Sequence, residues 1–457
     1  MSGSFLTVAG GNTQTSYVSV QSSLPSDVNG LLQSYLTNIT NNIWDGKQSY
    51  IYNNVANKEV VSGVGTDSAS GTFESITNVD SHGNSVAGSG SYVVSIPSAV
   101  TQLVVQAPGN ETVTGSSATT FALFGAQSNV DYSVSGGAGS IFAAGGQDNI
   151  DVTGQNAADT ISSAGNDTVT FNGTSGNDVV DAVGNATTSV YLGGSDAASV
   201  TASGNAKVSV HFLNGAGGNL DFINNSSQVA TVFSGVYTVG AGTRSYAPNA
   251  VTAFGGTGGL FAVGGRAGFN SLNGGTGSST LVGAGDGDTL MAAGKVNLLF
   301  SGAGDETLLG SGQTNIFEVG FQEPGIGAVT TDGGVVSAGG ALASNNVFGI
   351  GNVEATTLTG STVHGASNAY VINGSFTTLG GQVESVHGGS LDITDFGGNS
   401  TISLINPTSA GLSVESVAAA LGGGTQILLS DNTVITLNGV SQNQVNVSHN
   451  GTIITFV

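Results

Sequence analysis

The chain has no cysteine and only six basic residues, and both shortages restrict its chemistry. Without cysteine there are no disulfides, no thiolate metal ligands and no cysteine nucleophile. Lysine and arginine number 6 against 29 aspartates and glutamates, which leaves a formal net charge of −23. A chain this acidic is a poor partner for nucleic acid and for anionic membranes. Divalent cations such as calcium are its natural partners, because crowded carboxylates repel one another unless an ion lies between them.

Large side chains and long apolar runs are also scarce. One Trp, two Met, 10 Tyr and 19 Phe among 457 residues cannot fill a bulky globular core. No stretch approaches the 18 consecutive apolar residues of a transmembrane helix, so we expect no membrane span. The N-terminal residues lack the basic and apolar regions of a secretory signal peptide. The protein is therefore expected to be cytoplasmic or to be exported by a route that needs no N-terminal signal.

Glycine is abundant, with 75 residues, and it alternates with short β-prone runs. From about residue 91 these runs include YVVSI, QLVVQ and DTVTF, separated by clusters of Gly, Asn, Asp and Ser. Such alternation predicts strands joined by tight turns. The uniform composition over this length favours a repeat architecture in which each unit buries its apolar face on its neighbours.

A fixed spacing supports the repeat. Eight apolar residues recur every nine residues: Phe254, Val263, Leu272, Leu281, Leu290, Leu299, Leu308 and Phe317. Five more recur every ten residues: Val180, Val190, Val200, Val210 and Leu220. We therefore predict an all-β chain built as a parallel β-solenoid, or β-roll, of degenerate nine- and ten-residue repeats. The register is clearest over 254–317.

The repeats resemble the RTX nonapeptide G-G-x-G-x-D-x-U-x, in which U is a large apolar residue. The segments that carry the resemblance are GGTGSSTLV (274–282), GAGDGDTLM (283–291) and SGAGDETLL (301–309). Looser copies occur at 109–113, 165–169 and 176–179. In such a repeat the glycines permit a tight turn, the acidic residue faces inward as a ligand, and U fills the core. The resemblance implies a secreted bacterial β-roll with bound calcium.

The position two residues before U departs from the family pattern, because aspartate stands there only once. Its occupants are Asn270, Ser279, Asp288, Asn297, Glu306 and Asn315. Two RTX nonapeptides make one coil, so the resemblance places Asp288 and Glu306 on one edge, with Asp286 and Asp305 beside them. These four are our candidate ligands for a few calcium sites. The alternative is that the polar residues only hydrogen-bond along the turns, with an amide ladder on the opposite edge.

The two ends of the chain differ from the repeats. Apolar residues spaced three and four apart predict an amphipathic helix over 27–44 that covers an open end of the β-structure. Residues 391–457 resemble the C-terminal module that follows the repeats in many type I secreted proteins. Within them we expect a short helix over 414–421 and a hairpin that turns at Asp431 and Asn432. This resemblance implies export to the cell exterior or surface through a type I channel.

These features divide the chain into a capping or assembly region (1–90), a β-solenoid (91–390) and a secretion-type module (391–457). No H-E-x-x-H, G-x-S-x-G or P-loop motif is present, so we expect no enzymatic activity. We predict a structural protein that assembles with itself as an S-layer, a fibre or a biofilm matrix. Strands 5–10 and 452–457 either pair between subunits in a head-to-tail polymer or cap their own subunit.

Two other functions stay open. An adhesin or carbohydrate-binding protein would bind surface or matrix polysaccharide through aromatic side chains on one solenoid face. The tyrosines available for this are Tyr132, Tyr191, Tyr237, Tyr246 and Tyr370. A polysaccharide-acting enzyme is less favoured, because it needs basic side chains to neutralise uronate carboxylates.

Overall fold

The computed structural model of the chain describes five short segments before residue 78 and most of 92–457. The early segments are 4–9, 15–20, 50–54, 65–66 and 73–77. The longer gaps after residue 92 are 238–243, 320–334, 360–366, 374–389 and 406–411. The predicted helix 27–44 lies outside the described residues. The chain separates into two units, Met1–Gln228 and Val229–Val457. The sequence-based boundaries near residues 90 and 390 stay predictions.

Unit 1 is built from short strands. They are β1 Ser4–Ala9, β2 Thr15–Val20, β3 Tyr50–Asn54, β4 Gly65–Thr66, β5 Phe73–Thr77, β6 Tyr92–Ser95, β7 Gln102–Val105, β8 Gly109–Thr114, β9 Phe121–Phe124, β10 Ser128–Ser135, β11 Ser140–Ala143, β12 Asn149–Thr153, β13 Thr160–Ser163, β14 Asn166–Phe171, β15 Asn177–Ala182, β16 Thr187–Leu192, β17 Ala197–Gly204, β18 Lys207–Phe212 and β19 Leu220–Ser226.

Apart from the antiparallel pair β1 and β2, consecutive strands of unit 1 alternate between two parallel sheets. Sheet 1A has the order β4-β6-β8-β10-β12-β14-β16-β18. Sheet 1B has the order β3-β5-β7-β9-β11-β13-β15-β17-β19. Each coil thus gives one strand to each sheet, which is a parallel β-solenoid, as predicted. The ladders begin upstream of the predicted residue 91, since β3 and β5 already pair.

Unit 2 contains the remaining strands. They are β20 Ala230–Phe233, β21 Gly235–Tyr237, β22 Arg244–Tyr246, β23 Val251–Phe254, β24 Leu260–Val263, β25 Ser271–Asn273, β26 Ser279–Val282, β27 Thr289–Ala292, β28 Val296–Phe300, β29 Thr307–Gly310, β30 Thr314–Val319, β31 Val335–Ser337, β32 Asn345–Ile350, β33 Ala355–Thr359, β34 Ser367–Asn373, β35 Ser390–Thr394, β36 Thr401–Ile405, β37 Val414–Ala419, β38 Gly424–Leu429, β39 Val434–Asn438, β40 Val445–Ser448 and β41 Ile453–Phe456.

Sixteen of these strands form two parallel sheets, and β21 pairs with β22 in an antiparallel hairpin. Sheet 2A has the order β20-β24-β26-β28-β30-β32-β34-β36. Sheet 2B has the order β23-β25-β27-β29-β31-β33-β35-β39. The parallel ladders therefore run past residue 390 into the predicted secretion module.

The core of unit 2 consists of rows of identical or similar side chains. In sheet 2B, Leu272 pairs with Leu290 and Leu290 with Leu308, so eighteen residues, or two nonapeptides, make one coil. In sheet 2A, Leu281, Leu299 and Phe317 form the matching row. All six of these side chains have no exposed surface. The nine-residue register is confirmed from Leu272 to Phe317.

The register prediction is wrong at its first two members. Phe254 pairs with Asn273 and is 42% exposed, while Ala253 holds the core position beside Leu272. Val263 pairs with Val282, not with Leu281. The coil that contains these residues is one residue longer than eighteen, since Thr252 pairs with Ser271. A one-residue shift moves a side chain to the opposite face of a strand.

The ten-residue register of unit 1 is confirmed for four of its five members. Val180 pairs with Val200 and Val190 with Val210, all without exposed surface. The next residue in the first row is Phe222, which pairs with Val200. Leu220 is buried beside Ala198, so the prediction for Leu220 is wrong by two positions. The cause is again a longer coil.

Glycine makes the tight bends possible. Gly275 has a φ of 65°, in the left-handed region that side chains disfavour. A Cβ at this residue would overlap the carbonyl oxygen of Gly256 in the coil before. Coils can stack at the strand spacing only because this position carries no side chain.

The C-terminal residues close unit 2 with antiparallel strands. β37 pairs with β38 and β38 with β39, through a turn at Asp431 and Asn432, as predicted. The predicted helix 414–421 is wrong, because Val414–Ala419 is strand β37. Ser413 does not cap a helix, since its carbonyl oxygen accepts the Ser430 N–H at 2.9 Å. Backbone pairing with β38 outweighs the local helical spacing of the apolar residues.

The chain ends on β41, which pairs with β36 on one edge and β40 on the other. Both edges of the strand in TIITFV thus pair within the same chain. This agrees with the alternative in which the strand caps its own subunit. β1, which contains residues 5–9 of FLTVAG, pairs with β2. None of the described residues forms a helix long and apolar enough to cross a membrane.

Candidate metal centre

Asp288 and Glu306 lie one above the other inside unit 2, where the chain enters strands β27 and β29. The register Ser271, Thr289 and Thr307 places Asn270, Asp288 and Glu306 in one column at consecutive coils. Their side chains are 1%, 1% and 2% exposed. The sequence prediction that this position faces inward is therefore confirmed.

Every oxygen of the Asp288 carboxylate is hydrogen-bonded. Oδ1 accepts the backbone N–H of Asn270 and the Asn270 side-chain Nδ2, each at 2.8 Å. Oδ2 accepts the backbone N–H groups of Ala284 and Gly285 at 2.9 and 3.1 Å. Burial raises the pKa of Asp288, and these four donors oppose that rise. Asp288 therefore joins its own turn to the coil before.

Glu306 is less well satisfied. Its Oε1 accepts the Gly302 N–H at 2.6 Å, whereas its Oε2 is buried without a hydrogen-bond partner. Burial, and then the charges of Asp288 and Asp286, raise the pKa of Glu306 to about 9. At neutral pH this carboxyl group is therefore protonated unless a cation takes the place of the proton.

Gly283 leaves room beside the two carboxylates. A Cβ on Gly283 would lie 3.0 Å from Glu306 Oε1 and 3.1 Å from Asp288 Oδ2. The two acidic side chains thus converge on one glycine, which keeps their oxygens close to each other inside the bend.

Asp286 and Asp305 are separated from this pair. Both are exposed on the outside of the turns, where Asp286 Oδ1 accepts the backbone N–H of Asp305 at 2.8 Å. The four sequence-predicted ligands therefore form an inner pair and an outer pair. Among the residues that the structure describes, no group of three or more His, Asp or Glu side chains is placed to hold a metal ion.

The inner pair matches part of what calcium needs. Calcium takes six to eight oxygen ligands, including carboxylates and backbone carbonyls. Glu306 Oε2 is a buried oxygen that lacks a partner and could serve as one ligand. Asp288 could join only by giving up N–H donors. The residues thus fit a partial site centred on Glu306 and do not fit a full cage.

The opposite edge carries the amide ladder that the sequence predicts as its alternative. Asn297 Nδ2 donates to Asn315 Oδ1 at 3.0 Å, and Asn315 Nδ2 donates to Asn346 Oδ1 at 2.9 Å. Asn346 Nδ2 then donates to Asn368 Oδ1 at 2.9 Å. All four side chains are 3% exposed or less. The ladder joins four consecutive strands of sheet 2A, from β28 to β34.

Unit 1 contains buried acidic residues that are not among the four predicted ligands. Glu111, Asp148 and Asp167 lie in or directly before strands of sheet 1A, and Asp159 and Asp178 lie in or directly before strands of sheet 1B. Each stands two residues before an inward apolar residue, as Asp288 and Glu306 do. The segments GNETV and GNDTV contain this signal, although the variable coil length hides it from a search at fixed spacing.

The sheet 1A acids repeat the bonding of Asp288. Asp148 Oδ1 accepts the Val130 N–H at 2.8 Å, and Asp167 Oδ1 accepts the Asp148 N–H at 3.1 Å. Both oxygens of Glu111 and Oδ2 of Asp148 have no partner. Burial raises the pKa of Glu111 and of Asp148 to about 8 and that of Asp167 to about 6. The raised pKa values favour the protonated form of Glu111 and of Asp148 at neutral pH.

Two of the five tyrosines considered for carbohydrate binding are buried and cannot contact a glycan. Tyr132 and Tyr370 are 1% and 0% exposed inside the solenoid. Tyr191 lies on the outer face of sheet 1A and stacks on His211, with ring centroids 5.4 Å apart. The side chains of Tyr237 and Tyr246 lie outside the described residues.

Comparison with protein-family models, with curated proteins and with solved structures finds no match to this chain.

Proposed function

We propose that the chain is a secreted extracellular structural protein that assembles with itself. The observation that carries the proposal is the repeated coil, which gives both units parallel ladders with long outer faces. Stacked coils present the same kind of surface many times, and repeat proteins use such extended surfaces for binding. Buried polar columns at the bends stabilise the coil geometry itself, as the asparagine ladder does from Asn297 to Asn368.

The proposal includes calcium as a stabilising ion in a few partial sites. Its support is Glu306 Oε2, which lacks a partner, and the net charge of −23. A cation beside Glu306 would replace the proton that burial otherwise holds on this carboxyl group. The pairing of Asp288 with four N–H and amide donors argues for a modest effect and not for a strict requirement.

Export through a type I channel is the proposed route to the cell exterior or surface. Its support is the likeness of residues 391–457 to a C-terminal secretion module. The described part of that region has a hairpin at 424–438 and a terminal strand, β41, in keeping with the expected β-rich module.

A glycan-binding role on a cell surface or in a matrix is the second candidate. The observation that favours it is the stacked pair Tyr191 and His211 on the outer face of sheet 1A. Asp131 and Asp151 lie on the same face and could accept hydrogen bonds from sugar hydroxyls. A polysaccharide-acting enzyme is the third and least favoured candidate.

Electron microscopy of the purified full chain, paired with a glycan array, separates the first two roles. The samples should span a range of protein concentrations, with millimolar calcium or with EGTA. Regular arrays or filaments without glycan binding support the structural role. Dispersed monomers that bind specific glycans, with binding lost in Tyr191→Ala, contradict it and support the second candidate.

A further inference from the structure

The outer face of sheet 2A is apolar over seven consecutive strands, from β20 to β34. Outward side chains form two columns, which we call the apolar face. The first column is Thr231, Phe261, Thr280, Leu298, Ile316, Val347 and Ala369, and the second is Phe233, Val263, Val282, Phe300, Glu318, Gly349 and Val371. Ten of these fourteen residues carry aliphatic or aromatic side chains.

The exposure of these side chains depends on whether a larger neighbour in the same column packs over them. Phe261 and Val347 are 39% and 36% exposed. Val263 and Val282 are only 5% and 7% exposed, because the rings of Phe233 and Phe300 pack against them. The face is thus a continuous apolar surface and not a few scattered side chains, which are common on proteins.

The solenoid does not require this composition. On the outer face of sheet 2B, the corresponding column is Thr252, Ser271, Thr289, Thr307, Val335, Thr357 and Asp392. On sheet 1A it is Thr112, Asp131, Asn149, Thr168, Ser189 and Ser209. Twelve of these thirteen residues are polar, the exception being Val335, although the second outward column of sheet 2B also carries Phe254, Met291 and Leu309. In sheet 2A, by contrast, five of the seven residues in each of the two columns are apolar.

We propose that the apolar face of sheet 2A docks against the same face of a second copy of this chain. The inference rests on the proposed self-assembly and assigns a surface to it. The distribution of charge favours a second copy as the partner. Glu318 is the only acidic residue among the described outward side chains of these strands. Two copies that each carry a net charge of −23 repel one another, and a nearly uncharged face lets them approach.

Geometry also favours a second copy. Side chains in each column repeat at the strand spacing of about 4.8 Å, and an identical face brings the same spacing to the contact. Seven strands span about 29 Å, so a strip two residues wide covers about 400 Å². That is about half of what each partner buries in a stable complex. A single contact is therefore weak, and we expect association that depends on protein concentration.

Disulfide trapping tests the contact directly, because the chain has no cysteine of its own. Leu298 is the fourth of the seven residues in the first column, so a two-fold axis through the middle of the proposed contact would bring its two copies together. We expect Leu298→Cys to form a covalent dimer under mild oxidation. The matched control is Val335→Cys, 43% exposed on the outer face of sheet 2B, which should stay monomeric on a denaturing gel. Equal trapping at both positions, or none at Leu298, would overturn the proposal.

A second pair of variants separates this surface from the proposed function. In sedimentation velocity, Phe261→Thr with Val347→Thr should lower the dimer fraction at least fivefold, while Val335→Thr should not. The melting temperatures of both variants should stay close to that of the wild type.

If the wild type assembles and the double variant assembles equally well, the assignment of this surface is wrong and the structural role stands. A wild type that stays monomeric at every concentration overturns both. Loss of binding to phosphatidylcholine vesicles, without any change in oligomer, would assign the face to lipid.

Discussion

The backbone N–H of Asp148 donates to Oδ1 of Asp167 at 3.1 Å, and both carboxyl groups are buried in the solenoid of unit 1. The bond joins one coil to the next through an acidic side chain. Asn270 and Asp288 make the same bond in unit 2, at 2.8 Å. A buried polar residue at the bend thus satisfies an N–H group of the coil before it, which an apolar residue could not do.

Stability should fall as the pH rises. Burial raises the pKa of Glu306 to about 9 and those of Glu111 and Asp148 to about 8, from ordinary values of 4.5 for Glu and 3.8 for Asp. Between the ordinary and the raised values the folded chain binds more protons than the unfolded chain, so the free energy of unfolding decreases with pH. We expect a higher melting temperature at pH 5 than at pH 8.

Glu111→Gln isolates one of these groups, because glutamine has nearly the same shape and no charge. We expect this variant to melt at a higher temperature than the wild type at pH 8 and to match it at pH 5. The control Asp305→Asn changes an exposed carboxylate and should leave the pH dependence as it is. Equal destabilisation by Glu111→Gln at both pH values would show that the carboxylate is needed in its charged form.

Calcium should stabilise unit 2 most at alkaline pH, because the carboxyl group of Glu306 then loses its proton more readily and can bind a cation instead. Millimolar calcium is expected to raise the melting temperature more at pH 8 than at pH 5, and EGTA should reverse the change. Glu306→Gln should abolish the response, whereas Glu111→Gln should retain it. Unchanged circular dichroism, melting temperature and particle size on addition of EGTA would leave the turn hydrogen bonds as the whole explanation.

The core register can be tested with two neighbouring residues of β27. Leu290 has no exposed surface, and Leu290→Asp places a charge in the middle of the apolar row. We expect a loss of at least about 3 kcal/mol in the free energy of unfolding, measured by urea denaturation. Thr289 points outward, so Thr289→Asp should cost less than about 1 kcal/mol. Similar losses at both positions would contradict the register.

The asparagine ladder should be sensitive to a single deletion. Asn315 Nδ2 donates to Gly312 O and to Asn346 Oδ1, while its Oδ1 accepts from Asn297. Asn315→Ala leaves these buried partners unsatisfied, at an expected cost of about 2–3 kcal/mol. Asn446→Ala, at an exposed residue of β40, is the control and should be nearly neutral in the same urea titration. A neutral Asn315→Ala would show that the ladder adds no stability.

The sequence predicts the fold well wherever coil length is constant. Leu272 to Phe317 are found at a nine-residue period because each coil there has two nonapeptides. The same period fails at Phe254, since one added residue turns its side chain outward. Asn346 continues the ladder of Asn315 although 31 residues separate them in the chain. No search at fixed spacing can find such a partner.

The candidate site was predicted in part for a similar reason. The inward position of Asp288 and Glu306 follows from the repeat, but the outward position of Asp286 and Asp305 depends on how each turn bends. The unit 1 acids, such as Asp148, have the same local pattern in coils of variable length. Whether a segment such as Val414–Ala419 forms a helix or a strand depends on a partner, β38, that local spacing does not reveal.

Sedimentation velocity of the wild-type full chain, over a hundredfold range of concentration at pH 7 with millimolar calcium, tests self-assembly most directly. Self-assembly predicts a sedimentation coefficient that rises with concentration and species larger than a dimer at the upper end. A single monomeric boundary at every concentration would contradict it.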